Sequence, residues 1–233
     1  MKKYEFTGET KIHGVHILHR IRALIAIGTM VSPGDVGGWI ESENNLSHDG
    51  DAWVCDDAWV HGNAVVRGDA VVRDNARVRG DARVYGNARV RDNALVYGSA
   101  VVCDNALVDG NAVVCCNACV YGNALVRGDA RVGGNAWVGG NADVYGNAVV
   151  CGIGDYAVFK NTWSSGRWFT YTSSNKMWHV GCFYGTGDEL IRKAYMDSER
   201  TGKCYEAIVK AMEAIESAKK MEADKNEEAN NVR

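Results

Sequence analysis

Two histidines could serve as general bases, His61 and His179. His61 follows the pair Trp59-Val60, with His48 shortly before it, and His179 sits in the aromatic stretch KMWHVGCF. An imidazole does this work near neutral pH when a carboxylate orients it and an acceptor lies within hydrogen-bond reach. Neither condition is written beside His61, and the plainer reading is a solvent-facing side chain in a variable position. His13, His16 and His19 would share a face on a helix. Their segment, KIHGVHILHRIRALIAIG, alternates and is rich in β-branched residues; along a strand 13 and 19 face one way and 16 the other, so no metal site is expected. Cys115, Cys116 and Cys119 include a C-x-x-C, but no second pair or nearby histidine completes four ligands, and neither metal nor cofactor is expected. Anion chemistry has two candidate sets. Arg79 beside Tyr97 could clamp a phosphate and stack a base, and Trp163, Arg167, Trp168, Tyr171, Trp178 and Tyr184 could form an aromatic cage with a cation in it.

What must position these residues is a repeat. Seventeen alanines stand six apart from Ala52 to Ala148, each followed two residues later by a valine, without interruption. Ala and Val two apart share one face of a strand and must point inward. The next two positions are mostly Gly or Asp, then Asn or Asp, types that accept a positive φ and bend the chain at low cost. Each hexad is therefore a short strand plus a corner. Three corners close a triangular coil of 18 residues, so residues 51–152 make between five and six coils. A unit of this size cannot bury its own apolar side and must stack on its neighbours.

Phrases such as VRGDAV and VYGNAL resemble the hexapeptide repeat of left-handed parallel β-helix proteins. The resemblance supplies the handedness, which the spacing does not show. The stretch GDVGGWIESENNLSHDGDAWV (34–54) is similar to the start of the repeat in the YdcK-like group, whose members are often labelled acyltransferases on fold alone. Acyltransferases of this fold use a histidine on or beside a loop extruded from the coils, with the acyl donor between subunits of a trimer. No extruded loop interrupts these coils.

Folding the sequence onto the triangle places outward residues 18 apart in columns. One wall then shows Val101, Cys103, Cys119, Tyr121, Trp137 and Gly139, without a charge; the adjoining wall shows Leu95, Tyr97, Val113, Cys115, Arg131, Gly133, Val149 and Cys151. An uncharged outer wall marks a contact surface, here expected to be covered by the chain's own C-terminal module or by a symmetry mate. Arginines 67, 73, 77, 79, 83, 89 and 91 spread over all three walls, interleaved with aspartates, which disfavours duplex nucleic acid.

Residues 1–50 read as a β cap over the open first coil, with Trp39, Trp53 and Trp59 beneath it. Residues 153–187 form an aromatic-rich β module with a hairpin around Ser173-Ser174-Asn175. Residues 188–222 make two helices, with Asp188 as N-cap and Gly202 as the break, and 223–233 a disordered tail. In the second helix Tyr205, Ile208, Val209, Met212 and Ile215 form one apolar stripe. The C-terminal module resembles a piece associated with small phage and prophage proteins.

A net charge of −3 gives no general pull toward nucleic acid or an anionic membrane, and no apolar run has the length of a signal peptide or a membrane span. Eight scattered cysteines fit reduced thiols in a cytoplasm. The expected class is mainly β, a left-handed parallel β-helix with a β cap and a C-terminal hairpin plus two helices. The expected role is a non-catalytic binding or assembly scaffold, homo-oligomeric and, by the resemblance, trimeric. The alternatives are sequestration of a small anionic ligand such as a nucleotide signal, and an acyl-CoA-dependent transferase using His61 or His179.

Overall fold

The computed structural model describes the backbone of residues 1–231 and the side chains of residues 1–225. Residues 53–150 form seventeen two-residue strands, paired in parallel across one turn, as in Arg89 with Leu107 and Leu107 with Leu125. They make a parallel β-solenoid of about six turns, of the left-handed β-helix kind. Every repeat alanine from Ala52 to Ala148, and the valine two residues after it, is 0% exposed. One core therefore runs the length of the solenoid, and each inward valine contributes roughly 1.5 kcal/mol or more.

The corners explain the Gly/Asp preference. Gly86 has φ 71°, and a Cβ there would meet the amide nitrogen of Asp104 at 2.8 Å. Asp56, Asp74, Asp92, Asp104 and Cys116 take the same left-handed conformation. All four aspartates offset its cost by reaching to the next turn: Asp56, Asp74, Asp92 and Asp104 accept from the backbone N–H of Asp74, Asp92, Gly110 and Gly122 at 3.3, 3.2, 3.1 and 2.9 Å. The residue after each corner stacks as well. The Asn87 amide donates to Asn105, Asn105 to Asn123 and Asn123 to Asn141.

At the N-terminus β1 (Tyr4–His13) and β2 (His16–Ala23) form an antiparallel hairpin. The third strand, β3 (Val36–Ile40), pairs antiparallel with β2 and parallel with the strand Trp59–Val60, so the hairpin extends one wall. The open first turn needs partners for its carbonyls. Lys3 supplies them to Gly50 and Ala52 at 3.1 and 2.7 Å, and the buried Asn45 amide supplies them to Gly62 and Ala64, both at 2.9 Å. Trp53 packs near Tyr4, while Trp39 and Trp59 cluster with Leu18.

After the last turn, strands Tyr156–Lys160, Trp168–Thr172, Met177–Val180 and Phe183–Gly185 form an antiparallel sheet. The expected hairpin is its central pair. Helices α1 (Gly187–Asp197) and α2 (Glu199–Asn231) cover one face, and Tyr205, Val209 and Met212 of the apolar stripe join Phe169, Tyr171 and Trp178 in a second core. Ile215, the last residue of the stripe, stays exposed.

Three expectations for this region are corrected. The N-cap is Thr186, in a capping box with Glu189, because Thr186 accepts from the Glu189 N–H while Glu189 reaches back to the Thr186 N–H. Gly202 lies inside α2 and the break is at Ser198; a Cβ at Gly202 would sit 2.3 Å from the Tyr195 ring, so this glycine serves close helix packing. Finally, α2 carries the chain to Asn231 where a disordered tail from residue 223 is expected; residues 232–233 lie outside the described residues. Among the described residues no helix is long and apolar enough to cross a membrane.

Candidate functional site

Alternation along the C-terminal strands decides which side chains meet the solenoid. Phe169, Tyr171, Trp178 and Val180 turn toward the helices. The residues between them turn toward the last coil. Thr170 accepts from the Asp143 N–H at 2.8 Å, Ser174 in the adjoining turn accepts from the Val149 N–H at 2.8 Å, and the Tyr156 hydroxyl donates to the Trp137 carbonyl at 2.8 Å. The sheet thus closes the far end of the solenoid as the hairpin closes the near end.

Within this junction Asp143 is the centre of charge. Arg127 donates to its carboxylate from Nε at 3.0 Å and from Nη2 at 2.5 Å, and Nδ1 of His179 lies 3.1 Å from Oδ2. All three side chains are largely buried. Burial pushes the His179 imidazole below its ordinary value; Asp143 opposes that and Arg127 adds to it. His179 is therefore mainly neutral at pH 7, with Asp143 orienting its ring.

Beside this group lies a cleft of ≈ 270 Å³, bounded by Asn123, Asn141, Asp143, Thr170 and His179 from within and by Arg167 and Trp168 at the rim. Arg167 is exposed and Trp168 is 38% exposed. Lys160 lies over the Trp168 ring at 5.2 Å, which adds a second cation to that edge. Arg127 and Asp143 offset each other, so the rim is left cationic. An aromatic surface, a cation pair and inward amides and imidazole suit a small anionic ligand with a flat ring.

Of the expected ligand residues, Arg167 and Trp168 come together here, beside the candidate base His179. Tyr171 and Trp178 belong to the helix-side core, Trp163 packs on it, and Tyr184 meets Tyr145 edge-on. Arg79 lies over Tyr97 at 4.8 Å, on the column running from His61 to Cys115, so that pair satisfies itself away from the cleft.

His61 corrects two expectations. It is 6% exposed, not solvent-facing, because the hairpin tip folds over it. The turn at Gly14-Val15 makes His13 and His16 facing partners, so they share a face where one continuous strand would separate them. Both rings approach His61, at 5.9 and 4.4 Å between centroids. His16 meets Glu41 at 2.8 Å, and burial, then His16, pushes the His61 imidazole down to about 4.

The uncharged wall is formed as the 18-residue spacing requires: Val101 pairs with Cys119, and Cys119 with Trp137. The chain's own module meets only the far end of this wall, where Tyr156 bonds Trp137 and Gly139, and leaves the Trp137 indole exposed. Cys103 is buried within the wall, and burial pushes the Cys119 thiol up to about 11, which removes nucleophilic thiolate chemistry. The Tyr121 ring lies flat over Gly139, where a Cβ would come within 2.2 Å of it. Trp137 remains 59% exposed.

Asp143 itself was missed. Its signal is positional: among the outward strand residues of the seventeen repeats it is the one acid, where the others are Val, Leu, Trp, Cys or Arg. No protein-family model matches the chain, and no curated protein matches it, so its function must be argued from its own walls and from the junction at Asp143.

Proposed function

We propose that the chain is a non-catalytic binding and assembly scaffold whose uncharged wall docks a second copy of itself. The observation that carries this reading is Trp137. With Cys119 and Val101 it stands in a column, beside Tyr121 of the next one, that stays open after both ends of the solenoid have been closed by the chain's own segments. An indole this exposed on a rigid, charge-free surface is an anchor for a partner. The resemblance to hexapeptide-repeat proteins of the YdcK-like group favours a trimer, and that of the C-terminal module favours a phage or prophage origin. Native mass spectrometry of the wild type and Trp137→Arg tests it. The wild type forms one discrete oligomer and the variant a monomer of unchanged melting temperature. A monomeric wild type overturns the reading.

A second reading rests on the cleft, where Arg167, Trp168 and His179 converge. It predicts stoichiometric retention of a nucleotide-like anion, lost in Arg167→Ala and Trp168→Ala, without turnover. The transferase reading keeps His179, since Asp143 orients it; in this arrangement Arg127 already draws on the same carboxylate and weakens the imidazole as a base.

A further inference from the structure

The hairpin tip, the residue after β3 and the residue after the strand Trp59–Val60 bring His16, Glu41 and His61 together. One ligand atom from each lies within 4.8 Å of the other two. His61 is 6% exposed, and neither of its ring nitrogens has a hydrogen-bond partner. A buried imidazole with both nitrogens unpaired is rare in a folded chain and needs an explanation. Its surroundings supply one. Glu41 is held in place on Oε2 by the backbone N–H of Gly62 at 2.7 Å, while Oε1 faces His16 at 2.8 Å. Orienting contacts of this kind usually surround metal-ligating carboxylates. The nearby Arg79 is drawn away over Tyr97.

We propose that His16, Glu41 and His61 form a three-ligand site for a divalent transition metal of the zinc type, clamping the N-terminal hairpin to the first turns of the solenoid. Two imidazoles and one carboxylate suit zinc and disfavour magnesium or calcium, which take oxygen donors. Donors about 2.1 Å from a tetrahedral zinc stand about 3.4 Å apart, so side-chain rotations of about 1 Å close the set. Three protein ligands leave the fourth position to water or to an incoming ligand. His13, whose ring packs edge-on against Trp59 at 4.0 Å, borders the site without joining it.

The test uses the full chain, stripped with a chelator and titrated with Co²⁺, then with Zn²⁺ in competition. One equivalent binds, with visible d–d absorption, no thiolate charge-transfer band and a raised melting temperature. His16→Gln and His61→Gln each weaken binding at least about tenfold. His16 is half-buried at the hairpin tip, so its variant keeps the fold and decides the matter even if His61→Gln does not. The eight cysteines are the competing ligands. A thiolate band, full affinity in His16→Gln, or no uptake of either metal overturns the site.

Discussion

Replacing Asp143 with Asn tests how the two cores are joined. The substitution keeps the shape but removes a carboxylate that receives two bonds from Arg127 and one contact from His179. Hydrogen bonds to charged groups contribute about 1.5–3 kcal/mol each where buried, and breaking a buried ion pair costs about 3–5 kcal/mol. The Arg127 side chain is 28% exposed and its guanidinium still lies over Tyr145 at 5.1 Å, which lowers the expected loss. We expect Asp143→Asn to cost about 2–4 kcal/mol, allowing for that partial solvation. The Arg127 bonds lie within the last turns of the solenoid and the His179 contact crosses to the C-terminal module, so the module and those last turns loosen before the rest of the solenoid. Urea denaturation, combined with hydrogen exchange on residues 156–225 against residues 53–150, reads both. A midpoint shift worth less than about 1 kcal/mol, or equal loss of protection in both cores, refutes electrostatic fastening of the module.

Three further outcomes follow from the burial pattern. Burial pushes Lys3 down to about 8, so above that pH the folded amine is neutral while the unfolded one still binds its proton; stability rises with pH from about 8 toward 10. Burial raises the Tyr4 phenol, so the unfolded state ionises first above its ordinary value of 10 and stability falls there; melting curves from pH 7 to 11 should show a maximum between, absent in Lys3→Met. Val108, 0% exposed between Val90 and Val126, should cost about 2–3 kcal/mol on replacement by Ala, read as a shifted urea midpoint. The reverse change, Ala106→Val, should cost about 1–3 kcal/mol by overpacking beside the corner.

The solenoid was legible because every hexad meets the same environment, so one inward Ala, one inward Val and one left-handed corner recur in the sequence as they do in space. The ends were less so, because their environments occur once. Thr186 and Glu189 did spell out a capping box, three apart, ahead of the apolar run. His61 was opaque for a different reason. Its burial depends on a hairpin about 45 residues earlier folding back over the wall, and no local pattern records that closure. Nor could spacing say that the C-terminal sheet spends its solenoid-facing side on the last turn, which is what leaves the Trp137 column open.

The regular pairing of each strand with the one eighteen residues on makes the chain a ruler. Strands in a sheet stand about 4.8 Å apart, so one added or deleted turn moves the C-terminal module by about 4.8 Å along the axis without rotating it. A change of six residues moves it by a third of that and swings it to the next wall. Length variants in steps of eighteen would thus keep the junction at Asp143 facing the same side, while those in steps of six would carry it around the prism.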